Sequence, residues 1–270
     1  MLSNEDAVRA FRNGMNGSSR HIFHDDYNRL YSYGHHFILA VRLASGTYLI
    51  NGDTYSSSTS THTSICIRTL KPNVIIPFSA LRQVAEDVRQ INVIDRNDDQ
   101  YIDRMRKDPT TGEMVKYTEH RLGSAVFEHD GKHYLSSIDT GAKGYRGYFL
   151  VELPEPASTV DEAFDLLFPV GLDKSLPYIR QGEFFFVPTD MATKNLTPVP
   201  KDQNDLTKHF PGAGTGHAHT ATELRQIDGK YYARGTVRHP EHKTIRLGKI
   251  WHEVYCNRAV KSFNAVGNVD

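Results

Sequence analysis

Cysteine is scarce: Cys66 and Cys256 are the two in a chain of 270 residues. They are too few and too far apart for a disulfide framework or a cysteine-based zinc site, and the expectation is a reducing, cytoplasmic setting. Net charge is absent too, with 32 basic residues against 32 acidic ones. A globally basic nucleic-acid surface is therefore not indicated, although a local patch stays open. No apolar run nears the roughly 18 residues that cross a bilayer. The opening MLSNEDAVRAFRNG lacks the apolar core of a signal peptide. No membrane partner is expected. The common catalytic signatures are missing as well: no GxxxxGK[ST] loop, no His-Glu-x-x-His helix, no Gly-x-Ser-x-Gly elbow and no Rossmann fingerprint. GAKGYRG at 141–147, with Lys143 and Arg146, reads as a hairpin loop rather than a phosphate cradle.

What is present is a globular composition, 39% hydrophobic and 24% charged, which argues against disorder. The pattern predicts an α+β protein. NEDAVRAFRN reads as a short helix capped by Ser3 or Asn4. HHFILAVRL and GTYLINGD read as a hairpin through Ala44-Ser45-Gly46. In YSSSTSTHTSICIRTL the early Ser/Thr run suits a loop or helix cap, and the later part fits helix or strand. FSALRQVAEDVRQI has Leu81, Val84, Val88 and Ile91 at helical spacing, with Ser79 as its cap. NDDQYIDRMRKDPTTGE reads as a polar loop or short helix. STVDEAFDLLFP begins a second principal helix with Ser158 and Asp161 as a capping pair. Strands are expected around the Asp130-Gly131 and Asp228-Gly229 turns. The expected organisation is an α+β domain over 1–175, with two principal helices against an antiparallel sheet. A β-rich domain follows over 176–270, with a barrel as one form it can take.

Histidine is the excess. Of 14 in the chain, six (His209, His217, His219, His239, His242 and His252) fall between 209 and 252. GHAHTATE places His217, His219 and Glu223 on one face if it forms a regular strand. RHPEHK adds His239 and His242 at a spacing that a tight turn can bring together. Imidazoles with a carboxylate suit zinc, manganese or iron in open, reactive sites. Without metal, one imidazole can take a proton while another gives one.

The His-x-His-x-x-x-Glu spacing of His217, His219 and Glu223 resembles the first metal motif of the cupins. That resemblance implies a small β-barrel holding a metal through three histidines and a glutamate, with His252 in KIWHEVYCN as the later ligand. LGKIWH stands where cupins carry a Pro-x-Gly turn. Separately, RQGEFFFVPTD, GTGHAHTATE, VRHPEHK and LGKIWHEVYCNR, in that order over 180–258, resemble a group of phage and bacterial proteins with no assigned activity. This implies a shared β-fold with recurring histidines and supplies no reaction.

The first half offers His62, Ser64 and Arg68 as a candidate binding group for a phosphate-containing ligand or nucleic acid, through hydroxyl and charge-assisted hydrogen bonds. Combined, the sequence favours a histidine-based hydrolase or transesterase acting on a phosphodiester or nucleic acid. His217, His219, His239 and His242 are its candidate catalytic residues. Arg238 and Lys243 would stabilise developing charge, and a divalent ion (Zn, Mn or Fe) is the candidate cofactor, held by His217, His219, Glu223 and His252. Two alternatives stand beside it: a cupin-like metal oxygenase or isomerase for a small molecule, and a non-enzymatic phage or defence-related binding protein with structural histidines. A homo-oligomer is compatible with the sequence.

Overall fold

A computed structural model describes residues 1–264 apart from 27, 54, 86–90, 98–99, 108–112, 122, 140, 143–147, 211–212 and 214–216. In chain order the elements are α1 (Asn4–Arg12), β1 (Ile22–His24), β2 (Arg29–Ser32), β3 (Gly34–Arg42), β4 (Tyr48–Asn51), α2 (Ser57–Thr69), β5 (Asn73–Ile76) and α3 (Phe78–Ala85). Then come β6 (Asn92–Arg96), β7 (Gln100–Lys107), β8 (Met114–Arg121), β9 (Ala125–His129), β10 (Lys132–Ile138), β11 (Tyr148–Glu152) and α4 (Val160–Leu167). The rest is strand and loop: β12 (Ile179–Gln181), β13 (Phe184–Thr189), β14 (Thr197–Pro198), β15 (Thr220–Ile227), β16 (Lys230–Arg238), β17 (Ile245–Cys256) and β18 (Lys261–Asn264). The molecule is mixed α+β with mostly β content. No described helix is long and apolar enough to cross a membrane.

Three larger sheets carry the fold. The first is β1-β2-β3-β4-β5, the second β18-β11-β10-β9-β6, the third β12-β13-β17-β16-β15-β14; β7 and β8 form a separate ribbon. Pairing is antiparallel except between β4 and β5, which α2 links as a crossover. Alternation on β9 shows how the first two sheets stack. Ala125 and Phe127 join the core of the first sheet, while Val126 faces the other way, into the layer with Val160 and Ala163 of α4. In the third sheet Phe184 and Phe186 lie in one core with Leu224, Ala233 and Val254, and Phe185 and Val187 lie in another with Leu172. Each such fully buried side chain is worth about 1.5–3 kcal/mol.

The third sheet is open rather than barrel-like: β12 and β14 are its two edges. Nor does the chain stay within its second half, because β18 returns to pair with β11 of the second sheet. The polar segment read as a loop or short helix around 97–113 instead supplies β7, half of the ribbon with β8. The Ser/Thr run is helix. Ser56 caps α2 by a reciprocal pair with Thr59, and the hydroxyls of Ser60, Thr61 and Ser64 bond back to carbonyls four residues earlier. At α4 the capping side chain is Thr159, accepting from the Glu162 N–H, one residue later than the sequence suggests. The helix expected from FSALRQVAEDVRQI runs from Phe78 without Ser79 as cap, and its expected continuation through 86–90 lies outside the described residues. So does most of GAKGYRG. Asp130-Gly131 and Asp228-Gly229 turn as expected, with φ of 51 and 69, and of 50 and 76, the left-handed pair that tight hairpins require.

Replacing Ser56 by Ala removes the hydroxyl that accepts from the Thr59 N–H and leaves the backbone N–H at position 56 to donate to Thr59 Oγ1. The expected cost is about 1 kcal/mol, read as a lower urea midpoint with an unchanged slope.

Candidate metal centre

Three histidines meet at one end of the third sheet. Thr220 of β15 pairs with Arg238 of β16. One residue further out on each strand, His219 and His239 face each other, with ring centroids 4.1 Å apart and planes 23° apart. His242, in the loop from β16 to β17, adds a third ring 4.5 Å from His239 and 5.4 Å from His219. One nitrogen from each of the three lies within 4.8 Å of the others. His219 is 1% exposed and His239 5%.

The turn between β12 and β13 backs this cluster. Gln181 donates through Nε2 to the carbonyls of Val237 and Lys243, at 3.3 and 2.8 Å. Its Oε1 is thereby turned toward His219 Nδ1, 3.1 Å away. An amide oxygen only accepts, so His219 carries a proton on Nδ1 and directs Nε2 inward. Gly182 follows at φ +58, and a Cβ there would lie 3.0 Å from His242 Nε2 and 3.3 Å from His219 Nε2. The space between the two rings thus depends on the missing side chain. Glu183 places Oε2 3.3 Å from His219 Nε2. Burial pushes the Glu183 carboxyl up, but His219, a backbone N–H and His242 outweigh it and hold the group below its ordinary value.

The other half of the molecule contributes as well. Asp139, just past β10, has Oδ2 3.3 Å from His242 Nδ1. The contact suits charge pairing but is not aligned as a hydrogen bond, and Nδ1 is buried with no hydrogen-bond partner. The loop is anchored beside it, with Ala142 bridged to His242 and the Lys243 N–H donating to the Gly141 carbonyl. Burial raises the Asp139 carboxyl, and His242, the Gly141 N–H and Arg180 more than reverse that. Arg180 itself donates from Nε to the Gly182 carbonyl at 2.7 Å.

His239 is bonded differently. Its Nε2 lies 3.0 Å from the His217 carbonyl, and its Nδ1 accepts from the Glu241 N–H at 3.1 Å. That pattern requires the neutral ring with its proton on Nε2. Burial, reinforced by His219 and His242, pushes its pKa down to about 4.

The other residues singled out in the sequence fall elsewhere. The His217 side chain is 60% exposed, its Nε2 3.8 Å from Glu241. A bulge in β15 between Ala221 and Glu223 breaks the alternation. The buried positions run His219, Ala221, Leu224, and Glu223 turns to a 2.7 Å pair with Arg234. His252 is buried with Nδ1 3.2 Å from the Ile250 carbonyl. The cupin-type set His217, His219, Glu223 and His252 is therefore not brought together. Arg238 and Lys243 are exposed. Gln181, Glu183 and Asp139 were not singled out by sequence reasoning; the first two stand in RQGE, one of the stretches that resembles the phage and bacterial group. Burial pushes the Cys256 thiol up to about 12, with Glu183 adding to it, so it is neutral near pH 7.

In the first half, His62, Ser64 and Arg68 lie on α2 rather than on a strand, so His62 and Ser64 point to different sides. Arg68 is exposed, and His62 is buried in a relay. Ser19 donates to Asn4 Oδ1 at 2.6 Å, which turns Asn4 Nδ2 toward His62 Nε2 at 3.0 Å. The His62 proton then sits on Nδ1 and meets Ser32 Oγ at 2.8 Å. This relay ties α1, β2 and α2 together.

No protein-family model matches the chain, and no curated protein or solved structure matches it.

Gly182→Ala both forces a left-handed alanine and crowds the two rings. It is expected to cost about 1–3 kcal/mol of stability, measured by chemical denaturation. His62 has its pKa lowered, by burial first and by His21 second. A lowered histidine pKa contributes stability above about pH 6.5 that is lost as pH falls through the folded value. Ring NMR is expected to show His62 titrating below 6.5; a midpoint at or above 6.5 contradicts the relay.

Proposed function

We propose that this protein is a divalent-metal-dependent hydrolase or transesterase for phosphodiesters, nucleic acid among them, with its centre at His219, His239 and His242. The observation that carries this reading is the convergence of three ring nitrogens within 4.8 Å in a largely buried site. Neutral imidazole is the metal-binding form, and Gln181 holds the His219 proton on Nδ1, which directs Nε2 inward as a donor atom. Buried polar partners orient the rings, as metal-binding histidines require. Gln181 acts on His219 and Asp139 on His242.

A bound Zn, Mn or Fe(II) ion supplies charge at a phosphoryl oxygen and lowers the pKa of an attached water. The chain's own part is to hold the imidazoles in place and keep the low-dielectric surroundings that strengthen charge interactions. Cationic side chains supply the phosphate preference. Arg180 is fixed by its bond to the Gly182 carbonyl, and the exposed Arg238 and Lys243 flank the second histidine pair.

The purified chain is expected to take up one transition-type divalent ion and to cleave bis-p-nitrophenyl phosphate with it. His219→Ala and His242→Ala should each lower turnover about 100-fold or more, while circular dichroism of the metal-free variants stays that of a folded protein. A chain that binds none of Zn, Mn or Fe(II), and gains neither stability nor turnover from them, contradicts the proposal.

A further inference from the structure

We infer that the metal is held by His219 Nε2, His242 Nε2 and the Glu183 carboxylate, and that His239 is the neutral wall of the site rather than a ligand. This rests on the metal reading above and sharpens it, because it replaces one of the three clustered histidines by a residue from a different turn.

Spacing is the first reason. Bonds of about 2.0–2.1 Å put neighbouring ligand atoms of a tetrahedral centre about 3.3–3.4 Å apart. The His219 Nε2 to Glu183 Oε2 separation is 3.3 Å. With about 1.2 Å more from each nitrogen to its ring centre, two imidazoles on such a centre have centroids about 5.2 Å apart. His219 and His242 are 5.4 Å apart, whereas His239 lies at 4.1 and 4.5 Å from them. His239 stacks on the pair; it does not take a tetrahedral position beside either ring.

The second reason is which nitrogens have lone pairs to give. Gln181 accepts the proton on His219 Nδ1, so Nε2, 3.3 Å from the Glu183 carboxylate, is the atom on which a metal ion would take the place of a proton. At His242, Nδ1 faces Asp139 and Nε2 faces the gap left by Gly182. The two Nε2 atoms therefore flank the same gap: Gln181 accepts the Nδ1 proton of His219, and the Asp139 carboxylate lies 3.3 Å from His242 Nδ1. His239 has no such arrangement. Its Nδ1 lone pair is occupied by the Glu241 N–H and its Nε2 proton by the His217 carbonyl. Recruiting it would break a hydrogen bond to a backbone N–H in a buried site.

The third reason is chemical. Two imidazoles and one carboxylate leave coordination positions open for a substrate oxygen and a water, and they suit Zn, Mn or Fe(II). Three histidines alone would hold no oxygen donor, and would leave the Glu183 carboxylate facing the bound ion from 3.3 Å off His219 Nε2 without using it.

The test uses the full chain and Zn(II) as probe. Calorimetric titration of Glu183→Gln is expected to show at least 100-fold weaker Zn(II) binding than the wild type, and His239→Gln a change within about 5-fold. In wild-type protein with 15N-labelled histidine, Zn(II) should move the Nε2 resonances of two rings, His219 and His242, and leave His239 with its proton on Nε2. The NMR result needs no substitution, so it holds even if a variant fails to fold. Wild-type binding that survives Glu183→Gln unchanged, or a metal-induced shift at His239, overturns this ligand set while leaving the metal function standing. A wild-type chain that takes no Zn(II) overturns both.

Discussion

The Gln181 side chain is 2% exposed and joins three segments through one amide. It donates to the end of β16 at Val237 and to the following loop at Lys243, and it accepts from His219 at the start of β15. Glutamate could not donate to the two carbonyls, and asparagine is shorter by a methylene. The amide sets the His219 tautomer and at the same time fixes the loop that carries His242. The rest of the cluster is arranged around that contact. Gly182 can approach the rings because the residue before it is pinned, and Glu183 reaches His219 because the turn reverses within two residues. Losing this side chain would take this partner from the Val237 and Lys243 carbonyls and from the His219 ring N–H, at a cost of roughly 1–3 kcal/mol for each group left buried and unpaired.

Packing three imidazoles so closely has an electrostatic consequence. Two like charges about 4 Å apart repel by on the order of 4 kcal/mol at an effective dielectric of 20. The cluster cannot be fully protonated, and the ring in the middle of the stack is the one that gives way, with a pKa of about 4. Glu183 and Asp139, both held below the ordinary carboxylate range, supply negative charge on the side where a cation would sit. The arrangement concentrates neutral nitrogen donors and carboxylates in a poorly hydrated space. Without a further role, such a group would cost more than the same volume filled with apolar side chains.

Much of the fold was legible in the sequence, and the reasons for the misses are local. Hairpins through Asp130-Gly131 and Asp228-Gly229 announce themselves because few residue pairs tolerate positive φ twice in succession. The clustering of histidine was visible as composition, and His219, His239 and His242 were all named. Periodicity failed at Glu223 because one bulge in β15 moves every later residue to the opposite face. On α2 the sequence left loop or cap, then helix or strand, open; the run is a capped helix whose Ser and Thr hydroxyls are satisfied on its own carbonyls, so polarity alone does not mark a loop. Of the β7–β8 ribbon it was β7 that went unread, because QYIDRMRK has no strong apolar alternation. Gln181, Glu183 and Asp139 were hidden for another reason. Their role depends on contacts 36 to 103 residues away in sequence, across β12, β10 and the loops of the third sheet.

Those long-range contacts place the site at a junction. Asp139 follows β10 of the second sheet and His242 lies in a loop of the third, and the bridge from Ala142 to His242 joins the two loops directly. The return of β18 to β11 closes the same connection from the other end of the chain. The halves therefore share strand pairing and the histidine centre. A ligand that binds only the assembled centre stabilises the folded state as a whole by mass action, and orientation of His242 depends on a carboxylate that the second half does not contain. The partners of the three rings divide accordingly. His219 and His242 each face a carboxylate, whereas His239 has backbone partners on both nitrogens. Residues grouped by proximity alone would be treated alike; their hydrogen bonds separate two that are poised to give a lone pair from one whose lone pair is already used.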